Sequence, residues 1–144
     1  MILKNMTRNS MIRVAGVTIG LLLILFALSF MPTLFIRTPG MTQLKGRHLT
    51  VYYEKEKEAA LDICQLAEQE SDRIAESLDI RIYIYDQQTV FQTKKYGWIA
   101  LLLNLDWYIG DNRNTSVLLT SPANPGTVHG YDETKEVAIH EMVH

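Results

Sequence analysis

The chain reads as an α+β protein in which an N-terminal transmembrane helix precedes a small mixed sheet with packing helices. Three observations lead there. Val14 to Ile36 is free of charge over 23 residues and is bounded by Arg13 and Arg37. Beyond it, short β-branched and aromatic runs alternate with helical apolar spacing. The chain then ends in His140-Glu141-Met142-Val143-His144, an H-E-x-x-H string in a helix-forming apolar context.

The elements follow in order. Residues 1–13 form a basic segment whose Lys4, Arg8 and Arg13 look like the n-region of an export signal. Residues 14–36 form the expected transmembrane signal-anchor helix. At 1.5 Å per residue it is about 34 Å long, enough for a hydrocarbon core of about 30 Å. Ala27-Leu28-Ser29 offers a small-x-small cleavage alternative. Apolar residues continue through Phe30, Met31, Leu34, Phe35 and Ile36, which favours an uncleaved anchor. Thr38-Pro39-Gly40 opens a linker over residues 37–47.

From residue 48 the pattern changes. His48–Tyr53 is β-branched and aromatic and reads as a strand. Glu54 to about Leu78 reads as a helix, with Ala60, Ile63/Cys64, Ala67, Ser71, Ile74 and Leu78 on one face and acids on a solvated one. Ile80–Tyr85 is a second strand, with isoleucines on one face and Arg81, Tyr83 and Tyr85 on the other. The strand–helix–strand order predicts a parallel pair if the strands are adjacent. In residues 87–105, Thr89-Val90-Phe91 with Lys94-Lys95 suggests a short helix. Ile99–Leu103 is apolar enough for a strand, for core, or for an exposed helix that covers a cleft or touches a membrane. Trp107–Gly110 and Thr115–Thr120 flank Asp111-Asn112-Arg113-Asn114, a turn signal that predicts a hairpin. Pro122, Pro125, Gly126 and Gly130 mark a loop. Asp132 is the expected N-cap of the last helix, with Glu133 at the positive end of its dipole.

Charge divides the chain. Residues 1–50 carry six Lys/Arg and no acids, whereas residues 51–144 carry eight basic and sixteen acidic side chains, a balance of −8. So acidic a domain is a poor nucleic-acid binder, and no nucleic-acid partner is expected. The lone cysteine, Cys64, excludes an internal disulfide and reads as a small core residue.

The final motif carries the chemistry. On a helix, residues i and i+4 share a face, so His140 and His144 can offer two imidazoles to one tetrahedral Zn²⁺. Glu141 is turned about 100° from His140 and can act on a water beside the metal. The bland alternative is a core helix with two histidines four apart, but burying them beside a glutamate would be costly without a partner. Asp132, Glu133, Lys135 and Glu136 just upstream exclude a membrane span here. His129 either lines the site or is simply an exposed loop histidine, and the second reading is the commoner one. His48, at a strand start, has no catalytic case.

Ser121-Pro122-Ala123-Asn124-Pro125-Gly126-Thr127-Val128-His129, followed by the helix Val137–His144, resembles the peptidase MA-like group of gluzincin zinc metallopeptidases over most of residues 48–144. The resemblance implies the upper half of a zincin-like domain. It makes His140 and His144 zinc ligands and Glu141 the general base. The group's third ligand, a glutamate on a later helix, has no counterpart, so residues 48–144 are expected to be an incomplete domain and the chain an N-terminal fragment without activity. The group also implies an extended peptide or protein substrate. Three Lys/Arg on each side of the span nearly balance the positive-inside rule, so it is the resemblance that favours a domain outside the cytoplasm. In such enzymes a strand placed like Ser116–Thr120 is the sheet edge bordering the cleft; an interior strand is the equal alternative. A non-catalytic membrane-anchored interaction domain derived from such a peptidase is the second functional expectation.

Overall fold

The computed structural model describes residues 8–74 and 79–143. Helix α1 (Arg8–Ser29) is followed by a 3₁₀ turn, Met31–Leu34. The helix thus lies ahead of the span 14–36 read from apolarity. Pro32 sits in the first turn of the 3₁₀ segment. Proline has no N–H and disfavours a helical residue before it, so apolar sequence continues past the point where the α-helix stops. At about 33 Å for its 22 residues, α1 is long and apolar enough to cross a membrane, and none of it is buried within the protein.

The remaining elements are β1 (Thr42–Lys45), β2 (Leu49–Tyr53), α2 (Lys57–Ile74), β3 (Ile80–Tyr85), α3 (Gln88–Tyr96), a second 3₁₀ segment (Gly97–Leu102), β4 (Gly110–Arg113), β5 (Ser116–Thr120) and α4 (Tyr131–Val143). The sheet order is β1-β2-β3-β5-β4, with β2, β3 and β5 parallel and both edges antiparallel. The strand–helix–strand unit forms as expected, with Val51 opposite Ile82 in adjacent parallel strands. Leu78, expected on the helix, lies outside the described residues.

Two differences from the sequence reading, and two points it left open, bear on the site. The linker 37–47 contributes β1, which pairs with β2. Ser116–Thr120 is an interior strand, and the edge next to it is β4. The hairpin turn is Asn114-Thr115, with Asp111–Arg113 inside β4; Asn114 takes the left-handed conformation (φ 57°) that asparagine tolerates. Residues 97–102 are helical, and Trp98, Leu101 and Leu102 are exposed rather than core.

Two cores lie on opposite faces of the sheet. Under α2 and α4, Val51, Ile82, Ile84 and Leu119 meet Ile63, Ala67 and Ala138. On the other face, Tyr83, Tyr85 and Leu118 meet Phe91 of α3 and Met41. The tyrosine side of β3 is therefore as buried as its isoleucine side. Each such large apolar side chain contributes about 1.5–3 kcal/mol on burial.

The segment after α1 is held to the domain by three of its backbone carbonyls. Arg113 Nη1 donates to Thr33 O at 2.8 Å, Lys94 Nζ to Phe35 O at 2.8 Å, and the Tyr85 hydroxyl to Ile36 O at 2.6 Å. Burial outweighs the nearby Glu54 carboxylate and lowers the Lys94 pKa from its ordinary value. The glycine at position 97 is required twice over. Its φ is +68°, and a Cβ there would run into the Ser29 carbonyl oxygen at the end of α1.

Candidate active site

Helix α4 is started by the loop before it. Gly130 O accepts from Thr134 N at 3.2 Å and from Thr134 Oγ1 at 2.9 Å. Glu133 Oε2 accepts the Gly130 N–H at 3.0 Å, one arm of a capping box. Asp132, expected as the N-cap, lies instead inside the first turn, where its carboxylate is 3.0 Å from Lys135 Nζ. Thr134 and Ala138 are buried, one turn apart. That phase leaves His140 exposed and places Glu141 half-buried on the side of β4.

The approach of Glu141 to β4 is made through a glycine. A Cβ on Gly110 would collide with Val137 Cγ1 and stand 3.5 Å from Glu141 Cγ. The carboxylate-bearing turn of α4 therefore packs directly beneath the edge strand. In the β4–β5 ladder Thr120 N donates to Ile109 O at 2.9 Å, and Gly110 lies opposite Leu119. Antiparallel alternation then turns the backbone N–H and C=O of Asp111 and Arg113 toward β5, and those of Gly110 and Asn112 away from the sheet. Those outward groups can pair with an added extended strand.

The opposite face of β4 is ionic. Lys95 Nζ is 2.8 and 2.9 Å from the two oxygens of Asp111. Next to them, burial first, then Asp111 and Tyr96, and least of all Glu141, raise the Tyr108 phenol above its ordinary pKa. His129 is not a free loop side chain. Its Nε2 is 2.9 Å from Trp107 O and its Nδ1 is 3.4 Å from Glu133 Oε2, so it ties the loop before β4 to the start of α4. His48 is exposed, and its backbone N–H donates to Glu68 at 3.1 Å. Cys64 packs partly against the core, and burial and the Glu68 carboxylate push its thiol up, which fits a structural role.

The donor chemistry of the motif suits zinc: an imidazole on the exposed face of α4 and a carboxylate one residue further on. His144 lies outside the described residues. Among the described residues, no three His, Cys, Asp or Glu side chains gather around one point. A catalytic zinc needs about three protein ligands, so the described residues alone supply an incomplete set. The sequence reading singled out Glu141 and His140 as candidates but not Gly110, for which a glycine inside a strand was the available signal. No protein-family model, curated protein or solved structure matches this chain.

Proposed function

We propose that this chain belongs to a membrane-anchored zinc metallopeptidase whose domain lies outside the cytoplasm and which cleaves extended peptides. The observation that carries the reading is the placement of Glu141, next to His140 on α4 and directly beneath Gly110 of an antiparallel edge strand. The apolar helix α1 supports the anchor. His140 and His144 would hold the metal together with a further protein ligand. Zinc so held supplies Lewis-acid polarisation of the scissile carbonyl and a more acidic water.

The chain's own residues do the rest. A substrate strand pairs with the outward N–H and C=O groups of Gly110 and Asn112, which lays its backbone across the turn that bears Glu141. The Glu141 carboxylate takes a proton from the attacking water and returns it to the leaving amine.

In the gene product loaded with zinc, Glu141→Gln should lower peptide hydrolysis at least about a hundredfold, since an amide cannot carry the proton. Zinc content, measured in the same sample, should not change, whereas His140→Ala should lose both. Turnover by the Gln variant close to that of the parent would exclude Glu141 as the base. Zinc bound with no hydrolysis by the parent would leave an interaction domain in place of a peptidase.

A further inference from the structure

We propose that the face formed by Trp98, Leu101 and Leu102 with Leu34 and Phe35 is seated in the interfacial zone of the bilayer that α1 crosses. The inference rests on the anchor part of the reading above, not on the peptidase part. These side chains are the ones a water-exposed domain should hide: Leu102 is 86% and Leu34 74% exposed. An apolar face of this size on a domain marks a surface that meets something apolar.

The chain itself shows what that is. The segment Gly97–Leu102 is not remote from the span. Gly97 is pressed against the Ser29 carbonyl and the Phe30 backbone, and the two 3₁₀ segments pack on one another. Any membrane that takes up α1 therefore has its surface beside Trp98 and Leu102. Between the two segments runs an open groove of about 480 Å³, lined by Met31, Phe35, Val90, Trp98 and Leu101. Its only charged lining residues are Arg37 and Lys94, and it has no acid. Apolar side chains with a tryptophan and the exposed Arg37 at the margin match the boundary between acyl chains and anionic phosphate headgroups. The acidic α2 and the motif helix α4 lie on the far side of the sheet, away from this face. The domain would thus rest on lipid through its α3 side and present α4 to the aqueous side.

The test uses the full chain with Cys64→Ala, reconstituted in phosphatidylcholine–phosphatidylglycerol vesicles. Single cysteines at Leu22, Leu101, Leu102 and Lys57 carry an environment-sensitive fluorophore. Blue-shifted emission, quenched by acyl-brominated lipid, is expected at Leu22, Leu101 and Leu102 but not at Lys57 on α2. Quenching at Leu22 with water-like emission at both Leu101 and Leu102 would overturn the docking face while leaving the anchor intact. Water-like emission at Leu22 would overturn the anchor and this inference together. Blue-shifted but unquenched probes at Leu101 and Leu102 would show that protein, such as a second copy, covers the face instead.

Discussion

Replacing Gly110 by alanine tests whether β4 and α4 are as closely apposed as the site requires. The added Cβ would land on Val137 Cγ1, a contact that real side chains do not tolerate, while Glu141 Cγ at 3.5 Å would remain in ordinary contact. Were the position open, alanine should stabilise the fold by about 0.4–1 kcal/mol, because it narrows the unfolded ensemble. Overpacking costs about 1–3 kcal/mol. The net expectation is a loss of about 1–2 kcal/mol, opposite in sign to the open case. Val137 packs partly against the main core. Trimming it to alanine should cost roughly 1 kcal/mol by itself for the methyl groups removed. If the collision is the cause, Gly110→Ala with Val137→Ala should be more stable than the sum of the single losses by about 1 kcal/mol. Urea titrations of the parent and the three variants in one mild detergent give the cycle. A Gly110→Ala protein as stable as its parent, or additive losses in the pair, would refute the apposition.

Other outcomes follow from the same contacts. Tyr85→Phe removes the partner of the Ile36 carbonyl at 2.6 Å and should cost about 1–2 kcal/mol in a thermal or urea titration; an unchanged midpoint would mean that water replaces the hydroxyl freely. Burial foremost, helped by the neighbouring Tyr83 and Glu54, raises the Tyr85 phenol above its ordinary value of 10.0. A raised folded-state pKa means the stabilisation is intact below about pH 10 and declines above it, as the unfolded chain gives up its proton first. Tyr85→Phe should therefore flatten the stability–pH curve above pH 10, and an equally steep curve would exclude this cause. Thr134→Val removes the buried hydroxyl that donates to Gly130 O and should cost about 1 kcal/mol, with slower regain of helical circular dichroism if α4 is started there; a variant indistinguishable from its parent would show that Glu133 suffices.

How much could be read beforehand depended on whether the signal was local. The six residues of β3 alternate isoleucine with Arg81, Tyr83 and Tyr85, and their bounds are those read from sequence. Helix α2 was visible through its apolar spacing, and the motif helix through its string. Strand β1 was hidden because Gln43 and Lys45 are ordinary side chains for an exposed edge, with no apolar alternation to mark it. Asp111-Asn112-Arg113 imitated a turn for the same reason: an edge strand tolerates polar residues that an interior strand would not. Whether Ser116–Thr120 is an edge or an interior strand stayed open because strand order rests on contacts between distant residues. Within the candidate site, His140 and Glu141 were legible as chemistry. The fit of Gly110 over Val137 was not, because two residues 27 positions apart meet only once the sheet has formed.

The three carbonyls gripped after α1 also have a mechanical meaning. A free linker would absorb any tilt or pull of α1 within a few loose torsions. Here Thr33, Phe35 and Ile36 are each fastened to a different element: β4 through Arg113, α3 through Lys94 and β3 through Tyr85. Each neutral fastening contributes about 0.5–1.5 kcal/mol net, and each charged one about 1.5–3 kcal/mol. They act in parallel, so they must yield together rather than one at a time. The helix is thus a handle rather than a tether. If α1 spans a bilayer as proposed, a change in thickness or lateral pressure that tips it would be passed as a torque to the sheet, and through Arg113 to β4, the strand above Glu141.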